Sequence, residues 1–192
     1  GPSDSAGVTI EEQCPPIGGY GTDGPLVLLP GEVQSLTYDA AVVTGNHTVG
    51  ATSITVDDPG AFIAGDELFV QMVRGEDDDC TDSGAGTWAV LGVSSVDGDR
   101  IYLKDPLDID LLTVGGMHHQ AIRIPHFETV DLGAGARLTT DGFDGDVGGV
   151  LIFRSQSVHL GNGSVIDMDA SGFRGGSAVV GFGEHQAGRS AA

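Results

Sequence analysis

Two stretches of this chain carry almost the same phrase. "VDLGAGARLTTDGFDGDVGG" (130–149) returns as "VHLGNGSVIDMDASGFRGGS" (158–177). A shift of 28 residues aligns Val130 with Val158, Leu132 with Leu160, Gly133 with Gly161, Gly135 with Gly163, Leu138 with Ile166, Asp141 with Asp169 and Gly148 with Gly176. In a strand-rich, helix-poor chain such a repeat predicts a right-handed parallel β-solenoid, whose coils bury their apolar faces only by stacking on one another. In "TVDLGAG" and "SVHLGNG" the Val and Leu face inward and the intervening Asp or His faces water. The glycines then turn the corner where a positive φ is needed. "ARLTTD" and "SVIDMD" continue as a second strand, and "VLIF" and "AVV" as a third. Leu132 and Leu160 are both expected to be almost fully buried.

Upstream of the repeat the pattern differs. Residues 39–115 hold short alternating strands with close turns, "AAVVTGNHTV", "TSITVDD", "DELFVQMVRG", "GTWAVLGVSSV" and "DRIYLKDPL", the last two joined by a tight hairpin at Asp97–Asp99. This suits a small β-barrel or sandwich-like subdomain, inserted in the solenoid or capping its N-terminal side. Leu68, Val70 and Met72 are expected to face inward after a bend at Gly65-Asp66, with Trp88 and Tyr102 as core mass. Residues 1–38, rich in proline, read as a lead-in, and 116–192 as the first coils of the solenoid, truncated at the C-terminus. The opening "GPS" and the uncapped glycine-rich end suggest a piece of something longer.

With 28 Asp plus Glu against 8 Lys plus Arg, the formal net charge is -20. Such a chain repels phosphate backbones and anionic lipid, which sets nucleic-acid partners aside. No apolar run approaches the length of a membrane span, so direct membrane insertion is not expected. Cys14 and Cys80 lie in polar loops too wet to bury a free thiol. A Cys14–Cys80 disulfide would close a long loop, stabilise by roughly 4 kcal/mol and place the protein outside the cytosol. The alternative is two unrelated exposed thiols.

The phrases "GATSITVDDPGAFIAGDELFVQMV", "VDLGAGARLTTDGFDGDVGGVLIFRS" and "GSVIDMDASGFRGGS" resemble the start of large glycine-rich secreted bacterial surface proteins, including adventurous-gliding-type proteins of myxobacteria. The likeness covers roughly residues 48 to 180. It implies an exported, β-helical, adhesin-like protein at the cell surface and transfers no catalytic residue.

Two acidic turns could carry chemistry. "EDDDCTD" (76–82) and "DGFDGD" (141–146) gather hard oxygen ligands of the kind Ca²⁺ takes, though in neither EF-hand nor nonapeptide spacing. The candidate metal ligands are Asp141, Asp144, Asp146 and Asp169. In the 28-residue register Asp141 and Asp169 would sit about 4.8 Å apart on adjacent coils, where bare carboxylates repel by roughly 1 to 3 kcal/mol and a shared cation would relieve them. Solvated turns give the same pattern. Of the histidines, His118 and His119 point to opposite faces of a strand, so at most one could join His126, and packing or surface roles suffice for them.

The primary expectation is an extracellular structural or adhesive module, a fragment of a larger surface protein presenting a β-helical rod. Its partners would be a surface polysaccharide, a cell-surface protein and the rest of the parent chain. The rival is a carbohydrate-active β-helix enzyme or a tailspike-like polysaccharide depolymerase. Asp167 and Asp169 would share a strand face there, with Asp141 alongside and Arg154 in reach, a pairing of carboxylates that glycoside hydrolysis uses.

Overall fold

The computed structural model describes residues 19–75 and 84–173, and these are all-β apart from two single 3₁₀ turns. Twelve strands are present: β1 (Leu26–Leu28), β2 (Val33–Leu36), β3 (Ala40–Thr44), β4 (Ser53–Val56), β5 (Glu67–Arg74), β6 (Trp88–Asp97), β7 (Arg100–Leu103), β8 (His118–Arg123), β9 (His126–Leu132), β10 (Arg137–Thr140), β11 (Arg154–Leu160) and β12 (Val165–Ile166).

The 28-residue register is a pairing register. β9 and β11 pair in parallel with Val130 beside Val158 and Leu132 beside Leu160, and β10 pairs β12 with Leu138 beside Ile166. A third copy lies where the sequence suggests only a lead-in. β1 pairs β9 (Leu26 with Val130, Leu28 with Leu132), and β2 pairs β10 from Val33–Arg137 to Leu36–Thr140. The result is two three-stranded parallel sheets, β1-β9-β11 and β2-β10-β12, forming three rungs. "GVLIF" is not a strand. Leu151 and Phe153 pack instead against the rung core of Leu26, Leu28, Leu36, Phe127, Val130, Leu132, Ala136 and Leu138.

The repeated glycines have two separate causes. Gly31, Gly135 and Gly163 occupy the same corner of successive rungs with φ of 76°, 69° and 72°, a region costly for any residue with a Cβ. Gly133 and Gly161 are there for closeness. A Cβ on Gly133 would lie 2.6 Å from the Pro30 nitrogen, and one on Gly161 2.6 Å from the Ala134 nitrogen, so neighbouring rungs touch backbone to backbone.

Leu132 is fully buried, but Leu160 is 58% exposed, contrary to expectation. It belongs to the outermost described rung, and no described strand pairs with the far side of β11 or β12. Val158, Val165 and Ile166 are exposed beside it for the same reason.

Between the first and second rungs the chain leaves to build a closed six-stranded antiparallel barrel, β3-β4-β7-β6-β5-β8. The barrel is thus an insertion rather than a cap. The five strands read from the sequence are all in it, and β8, assigned above to the solenoid, closes it by pairing with both β3 and β5. Leu68, Val70, Val93, Ile54, Ile101 and Ala121 fill the interior. The hairpin between β6 and β7 turns at Gly98, whose φ of 59° suits the first central position of a type II′ turn.

Candidate functional site

Where the barrel meets the rungs, six charged or ionisable side chains interlock. Arg123, at the end of β8, donates to Asp66 Oδ1 and to Asp23 Oδ1, both at 2.8 Å. Asp23 Oδ2 also accepts the His126 backbone N–H at 2.7 Å. Glu67, at the start of β5, accepts two bonds from the Arg154 guanidinium and one from His126 Nε2 at 3.0 Å. The Tyr20 N–H reaches His126 Nδ1 at 3.4 Å, which assigns the ring proton to Nε2. Burial alone would raise the Glu67 carboxyl, but the Arg154 and His126 bonds outweigh it and hold the group below its ordinary value. Every member of the cluster is engaged with another member. It splints the barrel to the rungs.

Of the four aspartates nominated for a cation, Asp141 and Asp144 have their carboxylates committed locally. Asp141 accepts the Ser35 hydroxyl at 2.6 Å and the Thr37 hydroxyl at 2.9 Å, and these bonds depress its pKa. Asp144 accepts the backbone N–H groups of Asp146 and Val147, each at 2.8 Å, and is depressed by the Val147 bond first and the Asp146 bond second. The carbonyl of Asp146 accepts His118 Nε2 at 2.8 Å, and the Asp169 N–H donates to Asp167, which also pairs with Arg137. Asp141 therefore faces the first rung rather than Asp169, and "DGFDGD" is an Asx-type turn docked on the barrel. Among the described residues no three His, Cys, Asp or Glu side chains converge enough to hold a metal ion. The rival catalytic grouping disperses in the same way: Arg154 is turned to Glu67 and Asp167 to Arg137. Cys14, Cys80, their disulfide and most of "EDDDCTD" lie outside the described residues.

His126 joins neither His118 nor His119. His118 meets the 144–147 turn. His119 points into the barrel beside Met72, 1% exposed, with no partner for either ring nitrogen among the described residues.

Among the described residues, an exposed apolar face lies on the barrel's outside. Inward Ala89, Leu91 and Val93 set the phase of β6, so Trp88 and Val90 point out, and Trp88 is 59% exposed. Its ring is braced by Phe69 on β5, centroids 5.9 Å apart and tilted 31°. Gly92 follows on the same face, and β7 then presents Tyr102, 38% exposed, opposite Ser95. Trp88 and Tyr102 are thus not core residues. They mark the two ends of a strip that, at about 3.3 Å per residue along β6, runs roughly 20 Å. Sequence reasoning missed it because "TWAVLGV" is apolar on both faces. The signal was the small Gly92, which fits an outward row better than a barrel interior.

No family model matches this chain, and no curated protein matches it. Among solved structures it is similar to the Gp54 tailspike of Acinetobacter baumannii bacteriophage AP22, solved in complex with A. baumannii capsular saccharide. The identity is 10% and the TM-score 0.39, over 75% of this chain and 28% of that one. It is similar also to the tailspike gp49 of Pseudomonas phage LKA1 (11%, TM-score 0.36, 57% of this chain and 22% of that one) and to the tailspike gp61 of Pseudomonas phage phi297 (13%, 0.33, 67% and 20%). The chain spans under a third of the length of each, and likenesses this partial assign it neither ligand nor activity.

Proposed function

We propose that this chain is an exported surface module that contacts saccharide: its rungs begin a right-handed parallel β-solenoid, and its inserted barrel offers the binding face. The observation that carries this is Trp88, the only tryptophan in the chain, more than half exposed yet fixed against Phe69 on a rigid strand. A large ring held open to water costs hydration free energy unless something covers it. Size favours sugar over protein as the cover. Trp88, Val90 and Tyr102 together could bury a few hundred Å² of apolar surface, whereas a stable protein interface takes about 800 Å² per partner. A flat aromatic beside Gln71, its partner on β5, suits the C–H face of a pyranose, with a polar group at its edge for a hydroxyl.

The binding reading assigns no general acid: Glu67, Asp141 and Asp144 are all shifted downward, the opposite of what that role needs. Affinity electrophoresis through a panel of bacterial capsular and cell-surface polysaccharides tests it. At least one polymer should retard the wild type, and Trp88→Ala should lose roughly tenfold or more in affinity, as for a central aromatic contact, with an unchanged melting temperature. Retardation unaffected by Trp88→Ala would remove the barrel face from the account.

A further inference from the structure

Eight cationic side chains serve the whole sequence, and six of them are described: Arg74, Arg100, Lys104, Arg123, Arg137 and Arg154. Arg123, Arg137 and Arg154 are in ion pairs, and Arg74 donates to the Gly116 carbonyl. Arg100 and Lys104 remain. No described carboxylate lies within ion-pair distance of either, and Arg100 has only a long 3.4 Å contact to the Ser53 hydroxyl. Among the described residues these two are the cations with no ion-pair or carbonyl partner, in a chain with 28 acidic side chains.

Both stand on one face. Arg100, Tyr102 and Lys104 are successive outward positions, all exposed, running along β7 and just past its end, so the two charges flank the tyrosine. Lys104 also joins the row on β6. Its backbone N–H donates to the Gly92 carbonyl at 2.8 Å, and a Cβ on Gly92 would come within 2.8 Å of its Cδ. The lysine stem lies flat across that glycine, between Val90 and Tyr102, and a side chain at 92 would displace it. The strip thus reads Trp88, Val90, Lys104 over Gly92, Tyr102, Arg100. Asp97 stands opposite Arg100 in the hairpin and competes for it, so Lys104 is the stronger of the two positive sites.

Resting on the proposed saccharide contact at Trp88, we infer that the strip takes an acidic polysaccharide, with a sugar ring on Trp88 and carboxylates of neighbouring units at Lys104 and, more weakly, Arg100. Charge complementarity commits the occupant. A neutral glycan would leave both cations without function, and the overall negative charge would otherwise keep every polyanion away. At physiological ionic strength the Debye length is about 8 Å, so the distant carboxylates are screened while charges in contact with the strip are not.

The probes are polygalacturonate and its fully methyl-esterified, neutral counterpart, titrated at 0.15 M ionic strength into the wild type, Lys104→Gln, Arg100→Gln/Lys104→Gln and Trp88→Ala. The wild type should prefer the acidic polymer by about tenfold, since two exposed charge contacts of under 1 kcal/mol each give that factor. Lys104→Gln should remove most of the preference and the double variant all of it, with binding to the ester unchanged. Trp88→Ala should weaken both polymers together. Equal wild-type affinity for the two polymers, or a preference that survives in the double variant, overturns the inference and leaves the aromatic contact standing. Failure of the wild type to hold either polymer, or any in the capsular panel, overturns both.

Discussion

Lowering the pH from 7 to 5 forces a choice on His119. The ring lies inside the barrel, beside Met72 on the neighbouring strand, with neither nitrogen hydrogen-bonded to a described residue. Burial, and then the nearby His118 and His47, push its pKa from 6.5 down to about 4. In the unfolded chain it takes up a proton once the pH falls below 6.5, whereas in the folded barrel it stays neutral down to about 4. The unfolded state therefore binds more protons throughout that window, and stability falls as the pH drops through it. The full contribution is present above the unfolded pKa. A shift of this size corresponds to roughly 3 kcal/mol at its limit and about 2 kcal/mol at pH 5. Urea unfolding should thus show a midpoint about 1 M lower at pH 5 than at pH 7. His119→Leu keeps the bulk, removes the titration and should flatten that part of the curve. Glu67, Asp141 and Asp144 add pH dependence only lower down, because their folded values lie below the ordinary carboxylate range. Parallel wild-type and His119→Leu profiles between pH 7 and 5, or an NMR titration of His119 centred near 6.5, would refute the reasoning.

The rungs invite a paired comparison. Leu132→Asp should cost several kcal/mol, because it puts an unpaired charge in the closed stack, while Leu160→Asp on the outermost described rung should cost under about 1 kcal/mol. Equal losses in thermal melts would mean that the register does not set burial. The two kinds of glycine should also separate. Gly135→Ala pays only for a left-handed backbone, about 1–2 kcal/mol, whereas Gly133→Ala carries no such backbone cost but must push the Pro30 backbone away and should lose more. Millimolar Ca²⁺ should leave the melting temperature of an Asp141→Asn/Asp144→Asn variant shifted as little as that of the wild type, since the two carboxylates already hold local hydrogen-bond donors; a calcium response abolished by that variant would restore the shared site. A thiol titration of denatured, unreduced protein should find no free thiol if Cys14 and Cys80 are bonded.

The barrel's first five strands were legible because alternation and turn chemistry are local: Gly98 at the hairpin and Gly65 at the bend read the same alone as in the fold. β8 was not, because both of its faces are covered. Ala121 and His119 point into the barrel, while Gln120 accepts the Gly148 N–H from the rung side, so "HHQAIR" shows no polar–apolar alternation. The first rung was hidden by distance. Leu36 and Thr140 pair across 104 residues rather than 28, and Pro25 and Pro30 make "PLVLLP" look like a linker. The acidic clusters were visible as composition, but what an aspartate meets is not local. Asp141's partners, Ser35 and Thr37, arrive from beyond the whole barrel. The Arg123 and Arg154 clusters had a sequence signal in the scarcity of cations, which says that each is in demand without saying by whom.

Because Trp88 is the only indole, its fluorescence reports the proposed contact directly. Acrylamide quenching of the wild type should be strong in the absence of saccharide, as an exposed ring requires, and should fall on addition of a polysaccharide that the protein binds. Saccharide binding that leaves the quenching of Trp88 unchanged would contradict the account, as would an indole already shielded from acrylamide before any ligand is added.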